Sequence, residues 1–333
     1  MCGRFVLGYC QKQLGKVGNE PRSLASLLVP SSYTQHHPIS PLKSIDSKNN
    51  MELYASGNNA WSQLVFEGAK STSKEPTDFT SFQLILRDPV IERPHASLAC
   101  TLVNTSNGIR TAGFLDDWMQ SQNLQGRVLE SLAAIAGNGA IAGGHTPVIY
   151  DGEAIVAYET GFAALSTTGQ VWTWGDERYE ACLCRDVSDI SLAEEPCIVA
   201  ELKDLPTGKV KKLAAAGYLL MALTEGNDLY AWGGHPGLPG FLDDISASPS
   251  PVVIADHDVA DCALGQAHAI VLTTSGEVYT AGANGNGQLG ITTETDSTWS
   301  RVPFLPGPDG TIISVACGPR NSFMIVQKTS RHT

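Results

Sequence analysis

Short apolar runs alternate with turn residues along most of the chain after residue 50. The clearest unit, 265–290, contains an apolar run AIVLTT, a turn at Ser275 and Gly276, a second run EVYTAG and the glycine-rich segment ANGNGQLG. Short runs of apolar and β-branched residues bounded by glycine turns are typical of β-strands rather than helices. The pattern therefore predicts pairs of antiparallel strands joined by tight turns.

The same unit recurs, and an internal repeat is a strong indication of architecture. Two clear copies and two weaker ones follow the same order of strand, turn and strand: 161–177, 217–237, 95–114 and 132–152. A further copy is divided between the ends of the chain, because 315–327 carries only its first strand and 53–66 only its second strand and loop. The sequence thus contains six countable units.

A divided unit has a structural consequence. An open row of sheets leaves unpaired edges, whereas a β-propeller closes when the first and last strands share one sheet. The sequence therefore predicts an all-β fold, a single β-propeller over residues 51–333. We expect 315–327 to pair with the strand that begins at Leu53.

Composition and charge divide the chain into two regions. The full sequence of 333 residues has a formal net charge of −12 and contains 33 glycines and 18 prolines. Residues 1–50 hold six Lys/Arg and two Asp/Glu, which leaves 16 basic and 32 acidic residues in the rest, a net charge of −16. We expect 1–50 to be a flexible basic leader, with a targeting segment, an extension of the domain or a misjudged start of the reading frame as alternatives. The acidic body favours basic protein partners and disfavours direct binding of nucleic acid.

The repeat unit is similar to a known one. The matching residues are Gly265, His268, Ala269, Leu272, Thr273, Gly276, Val278, Tyr279, Gly282, Asn284, Gly287, Gln288, Leu289 and Gly290. With them the chain resembles the regulator of chromosome condensation family, in a divergent form whose other units lose the histidine and the G-Q-L-G loop. The resemblance implies a propeller of seven blades. It also implies structural roles for His268 and for the strand aromatics Trp172, Trp174, Tyr230, Trp232 and Tyr279.

Signatures of catalysis are missing from the sequence. It has no Walker loop, dinucleotide fingerprint, H-E-x-x-H or G-x-S-x-G motif, and no apolar run long enough for a membrane span. Cys182, Cys184 and Cys197 are the one cysteine cluster, but they lack the C-x-x-C spacing of zinc sites. We therefore expect no catalytic residues, no metal and no cofactor, and a protein that is not an enzyme.

The longer connections between strands are the expected binding elements, since loops on a rigid scaffold carry specificity. They span 67–80, 176–211, 234–258 and 291–310. We predict an apolar tip with acidic flanks, made of Leu238, Phe241, Leu242, Asp243 and Asp244. The acidic stretch DVSDISLAEEP adds Glu194 and Glu195 as candidate partner-binding residues.

The family resemblance implies three kinds of role: nucleotide exchange on a small nuclear GTPase, association with chromatin or histone enzymes, and accessory roles in translation and tRNA modification. The compact, degenerate repeats favour an adaptor that binds a basic protein segment, such as a histone or a subunit of a histone-modifying complex. The alternative is a guanine-nucleotide exchange factor for a small GTPase. We expect a monomer in the nucleus or cytoplasm, with no membrane association.

Overall fold

A computed structural model describes residues 50–66, 75–115, 140–143, 146–149, 152–292 and 295–329. These residues form an all-β propeller: four sheets of four strands, one sheet of three strands and one strand pair. The expected basic leader, 1–50, lies outside the described residues except for Asn50. The first strand starts at Asn50, close to the domain start predicted at residue 51.

The sheet built from both ends of the described chain has the spatial order β2-β1-β21-β20. Its strands are β1 (Asn50–Gly57), β2 (Phe79–Asp88), β20 (Gly310–Gly318) and β21 (Asn321–Lys328). The three-stranded sheet follows in the chain with β3 (His95–Ala96), β4 (Cys100–Thr105) and β5 (Gly108–Gly113). The strand pair is formed by β6 (Ala140–Gly143) and β7 (Thr146–Ile149).

The remaining three sheets are consecutive four-stranded meanders. The first holds β8 (Gly152–Tyr158), β9 (Gly161–Ser166), β10 (Val171–Gly175) and β11 (Cys197–Ile198). The second holds β12 (Val210–Ala216), β13 (Leu219–Thr224), β14 (Leu229–Gly233) and β15 (Ser250–Pro251). The third holds β16 (Val259–Leu264), β17 (His268–Thr273), β18 (Val278–Ala283) and β19 (Thr295–Arg301). One short helix, α1 (Glu180–Leu183), follows β10, and 3-10 turns cover Glu177–Tyr179 and Ala200–Leu202.

The core lies between neighbouring sheets, and the repeat residues fill it. Every residue of β13, β14 and β17 is buried, so these strands are apolar on both faces. Trp232 is fully buried, and Trp174, Tyr230 and Tyr279 are also buried, while Trp172 is half-buried in a small cluster with Ala164 and Trp174. The prediction that the strand aromatics are core residues is confirmed.

The predicted pairing of the terminal strands is observed. β1 and β21 run antiparallel over their whole length, with Leu53 opposite Ile325 and Ala55 opposite Phe323. These side chains are buried in one apolar cluster. The two ends of the described chain therefore stabilise one common sheet.

Five glycines occupy the same place in five sheets. Each is the last or, for Gly282, the last but one residue of the strand that follows the second strand across the sheet. A Cβ there would collide with a carbonyl oxygen in the turn before that second strand: Gly57, Gly113, Gly175, Gly233 and Gly282. In the clearest case Gly233 has φ +124° and lies against the carbonyl of Tyr218. The repeated glycines are thus required by backbone crowding at one end of these five sheets.

His268 has the structural role that the sequence predicts. It is fully buried at the start of β17, opposite Gly282, and its Nε2 lies 3.1 Å from the hydroxyl of Ser322 in the neighbouring sheet. Burial lowers the pKa of His268 to about 4, so the ring is neutral at pH 7. Asn321 takes the equivalent position opposite Gly57 in the terminal sheet.

The described residues build five sheets of three or more strands, where the sequence pattern counts six units. The weak unit 95–114 is confirmed as β3 to β5, and the unit 132–152 corresponds in its described part to the β6–β7 pair. The connection expected over 291–310 contains β19, a strand that the sequence did not indicate.

Candidate protein-binding groove

The turns between first and second strands lie at a common end of the sheets, here called the upper end. The backbone N–H of Glu159 donates to the carbonyl of Gly217, and that of Gln266 donates to the carbonyl of Pro319. Gly217 also lies against the carbonyl of Gln266, so four successive turns are in direct contact. Because antiparallel strands alternate in direction, connections from third to fourth strands emerge at this end too. The connections 176–196 and 234–249 are two of these.

The connection 176–196 is held in place by the sheets on both sides. Asp176 caps the 3-10 turn by accepting from the N–H of Arg178, and Cys184 ends α1 in the left-handed conformation at φ 51°. The indole N–H of Trp232, in the next sheet, donates to the carbonyl of Cys182 at 3.2 Å. The hydroxyl of Thr173 donates to the carbonyl of Leu183. These bonds fix α1 between the β8–β11 and β12–β15 sheets.

Arg185 organises the second half of this connection. Its guanidinium donates to the carbonyls of Ser191, Leu192, Ala193 and Glu195, at 2.8 to 3.2 Å. The backbone of the acidic stretch therefore wraps around one cation. Glu194 and Glu195, both predicted binding residues, project from it as exposed side chains.

The predicted apolar tip of the connection 234–249 is only partly correct. Leu238 is 60% exposed, but Leu242 is buried in the core with Leu229 and Ile254, and Phe241 is half-buried against the same cluster. The prediction that Leu242 is a surface contact is wrong, because the connection folds back and fills the space between two sheets.

The acidic flank of that tip turns away from the other candidate residues. The carboxylate of Asp243 accepts a hydrogen bond from the hydroxyl of Ser297 in β19, at 2.9 Å. Asp244 is exposed and takes the left-handed conformation, with φ 58°. The structure therefore places Asp243 against β19, and no described contact joins Asp243 or Asp244 to Glu194 or Glu195.

The two connections nevertheless meet along one groove. A cavity of about 290 Å³ is lined by Arg178, Tyr179, Glu180, Ala181, Gly234, His235 and Pro236. A second, of about 380 Å³, is lined by Glu180, Ala181, Cys184, Arg185, Asp186, Ile198, Ala200, Glu201, Ala247 and Ser248. Both are open to solvent, and they adjoin at Glu180 and Ala181. We call this pair of cavities the inter-blade groove.

The electrostatics of the inter-blade groove are acidic. Glu180, Asp186 and Glu201 are exposed, and none of them takes part in an ion pair among the described residues. The charge of Arg178 is offset by Asp176, whose pKa is lowered by the hydrogen bond from that guanidinium. Three carboxylates thus face the groove, and none has a cationic partner in the part of the chain that the structure describes.

Aromatic rings form the upper end of the groove. Tyr179 and Tyr218 stack with their ring centres 5.4 Å apart, and His235 packs edge-on against both. The N–H of Gly237 donates to Nδ1 of His235 at 2.9 Å, which leaves the other ring nitrogen to carry the proton. Three aromatic rings packed against one another therefore lie next to the carboxylates of the groove.

Sequence reasoning missed Glu180, Asp186 and Glu201. They lie in a helix, in a loop and in a 3-10 turn, with no shared spacing, and only the fold brings them together. The excess of acidic residues over 176–204 is the one signal that could have indicated them.

Two further classes of site can be considered for the part of the chain that the structure describes. No group of three or more His, Cys, Asp or Glu side chains there has an arrangement suited to a metal ion. No helix there has the length and apolar character to cross a membrane. Cys182 and Cys184 are free, buried thiols, and burial raises the pKa of both.

Family and sequence comparisons agree with the repeat pattern. Two models of the Regulator of chromosome condensation (RCC1) repeat match, over residues 275–325 and 259–288. The chain is 35% identical over 130 residues to the Regulator of chromosome condensation of Mus musculus, an alignment that covers 38% of this chain and 30% of that protein. It is 31% identical over 173 residues to the E3 ubiquitin-protein ligase HERC2 of Mus musculus, covering 48% of this chain and 3% of the ligase.

A third relative is the Ras guanine nucleotide exchange factor C of Dictyostelium discoideum, 30% identical over 129 residues, which cover 37% of this chain and 8% of that protein. The alignments span less than a third of the length of these relatives. Among solved structures, Prp20p from Saccharomyces cerevisiae matches with a TM-score of 0.44 and 19% identity, covering 84% of this chain and 67% of that one.

Proposed function

The chain belongs to the regulator of chromosome condensation repeat family, and from this premise we propose that it is a non-catalytic scaffold that binds a basic segment of a protein partner. The binding site is the inter-blade groove. The observation that carries the proposal is the convergence of two long connections on one open groove, with three carboxylates that form no ion pair within the described ranges.

The form of the groove supports a protein partner over a small molecule. Its cavities are open to solvent, whereas small-molecule sites enclose most of the ligand surface. The groove is built on connections tied to two sheets by Trp232 and Thr173, so little conformational entropy is lost when a partner docks. Carboxylates beside aromatic rings suit lysine and arginine side chains, whose alkyl stems pack on the rings.

The overall charge supports the same class of partner. The body has 16 basic and 32 acidic residues after residue 50, which attracts basic segments and repels phosphate backbones. Histone tails and subunits of histone-modifying complexes are partners of this chemistry. We propose that the chain works in the nucleus or cytoplasm, without catalytic residues or a cofactor.

We also propose that the propeller is a closed ring of seven blades. The shared sheet of β1, β2, β20 and β21 supports closure, since it joins both ends of the described chain. The family resemblance supports the number of seven.

Guanine-nucleotide exchange on a small GTPase is the second candidate function. It is favoured by the alignment with Ras guanine nucleotide exchange factor C. Its test is the release of labelled GDP from a panel of small GTPases. Catalytic stimulation by the chain would replace the scaffold proposal with this one.

The scaffold proposal is tested with a fluorescent peptide rich in lysine and arginine, whose binding to the full chain is followed by anisotropy. We expect the triple substitution Glu180→Gln, Asp186→Asn and Glu201→Gln to weaken binding by roughly ten- to a hundredfold at low salt, because each exposed charge contact contributes about 0.5 to 0.9 kcal/mol.

The matched control neutralises acids at the opposite end of the sheets. Asp256 and Asp258 are exposed in the connection between β15 and β16. The variant Asp256→Asn, Asp258→Asn should bind the peptide like the unmodified chain. If the two variants lose affinity in proportion to the three and the two charges that they remove, only the net charge matters and the groove is not the site.

A further inference from the structure

Ser248 is the residue of the inter-blade groove best placed for covalent modification. It is exposed, lies in a bend outside any strand and lines the larger cavity with Asp186 and Glu201. Its backbone is held by Ser246, through the bond from the Ser248 N–H to that hydroxyl and the bond back to the Ser248 carbonyl. Its own hydroxyl donates no hydrogen bond to the described residues, so the oxygen is available for reaction.

The local sequence indicates which enzyme would act on it. Ser248 is followed by Pro249, and proline-directed protein kinases modify serine in this dipeptide. A second such dipeptide, Ser250 and Pro251, lies two residues further on. Ser250, however, is half-buried in β15 and pairs with Ala231 of β14. A kinase binds its target as an extended segment, and Ser248 lies before β15, so its own backbone belongs to no strand pair.

We propose that Ser248 is a phosphorylation site for a proline-directed protein kinase, and that its phosphate strengthens the binding of a basic partner in the groove. The second part rests on the proposed function. In the reaction the Ser248 hydroxyl oxygen attacks the γ-phosphorus of ATP. The new oxygen–phosphorus bond forms, the bond from that phosphorus to the bridging oxygen breaks, ADP leaves and the hydroxyl proton passes to the kinase base.

The charge around Ser248 determines whether its phosphate strengthens or weakens the binding of a basic partner. A phosphoserine carries about −1.5 to −2 charges at pH 7 and three strong acceptor oxygens. Arg185 lines the same cavity, but its guanidinium is already engaged by four backbone carbonyls. These carbonyls occupy its N–H donors but leave its charge in place. The phosphate therefore adds its negative charge to that of Glu180, Asp186 and Glu201, and this one cation offsets only part of the sum.

The test uses the full chain, a recombinant proline-directed kinase and ATP, with the modified residues mapped by mass spectrometry. We expect phosphate on Ser248 and little on Ser250, and none at this position in the variant Ser248→Ala. The phosphorylated chain should bind the lysine- and arginine-rich peptide roughly three- to tenfold more tightly at low salt, with a smaller gain at high salt.

Each outcome decides one part of the proposal. Phosphate absent from Ser248, or preferred on Ser250, overturns the assignment of the site. Phosphorylation of Ser248 with unchanged or weaker peptide binding overturns its role in recognition and leaves the scaffold function standing. If neither the phosphorylated nor the unphosphorylated chain binds the peptide, the scaffold function is overturned, and so is the role of the phosphate in recognition. Phosphate mapped to Ser248 would still establish the modification site.

Discussion

The carboxylate of Asp261 accepts a hydrogen bond from the backbone N–H of Val315, which lies in the first strand of the neighbouring sheet. The same carboxylate binds the Lys212 ammonium of β12 and, at 2.7 Å, the Arg93 guanidinium just before β3. It also accepts from the hydroxyl of Ser314 at 2.8 Å. The Asp261 side chain thus connects β12, β16 and β20, which belong to three sheets, with the segment that leads into β3 of a fourth sheet.

Asp261→Asn should therefore destabilise the whole propeller. The substitution keeps the shape but leaves Lys212 without its carboxylate, and breaking such a buried pair costs about 3 kcal/mol. Denaturant unfolding followed by circular dichroism measures the loss. A control, Asp258→Asn, removes an exposed carboxylate without an ion pair among the described residues and should change the free energy of unfolding by less than about 0.5 kcal/mol. Equal stability of the two variants would show that the Asp261 connection is unimportant.

His268 predicts how stability depends on pH. Its pKa is lowered by burial to about 4, from 6.5 in an unfolded chain. Between pH 6.5 and 4, the histidine is therefore protonated in the unfolded state while it stays neutral in the folded state. Stability should therefore be complete above pH 6.5 and fall by roughly 2 to 3 kcal/mol as pH drops toward 4.

The variant His268→Asn tests this assignment, since asparagine already occupies the equivalent position at Asn321. The variant should be less stable at pH 7.5 but should lose less stability between pH 6.5 and 4. Urea unfolding at a series of pH values measures how the free energy of unfolding of each chain depends on pH. The same dependence in both chains would rule out His268 as the cause.

Asp261 titrates below this pH range. Burial raises its pKa, but the charges of Lys212 and Arg93 outweigh burial and lower it, so the stabilisation by Asp261 is lost only as pH falls below about 4.

Gly233→Ala should be costly because the position combines a positive φ with close approach to the carbonyl of Tyr218. We expect a loss of about 2 kcal/mol in the free energy of unfolding. Gly285→Ala is the matched control, since a Cβ there meets no atom within 4 Å. Thermal unfolding of both variants separates the two cases. A tolerated Gly233→Ala would contradict the claim that the repeated glycines are required by crowding.

The repeat pattern predicted the parts of the fold whose sequence repeats. The second and third strands of each clear unit, such as β13 and β14, are apolar on both faces and were identified with their turns. The outer strands β11, β15 and β19 were missed, because edge strands are short or polar and need no apolar alternation.

The site was less predictable than the fold. Acidic character and long connections pointed to the right segments, 176–196 and 234–249. Leu242 was assigned to the surface because its burial depends on two sheets meeting above it, which no local pattern reveals. Glu180 and Glu201 were missed for the same reason, since they become neighbours only in the groove.

The central claim, that a basic partner binds in the inter-blade groove, is tested most directly by locating a bound peptide. A lysine- and arginine-rich peptide carrying a photo-reactive phenylalanine is cross-linked to the full chain, and the attachment points are mapped by mass spectrometry. The account predicts cross-links within 178–186, 198–201 and 234–248, which disappear when excess unlabelled peptide competes. Competed cross-links confined to the connections at the lower ends of the sheets, such as 252–258, would contradict it.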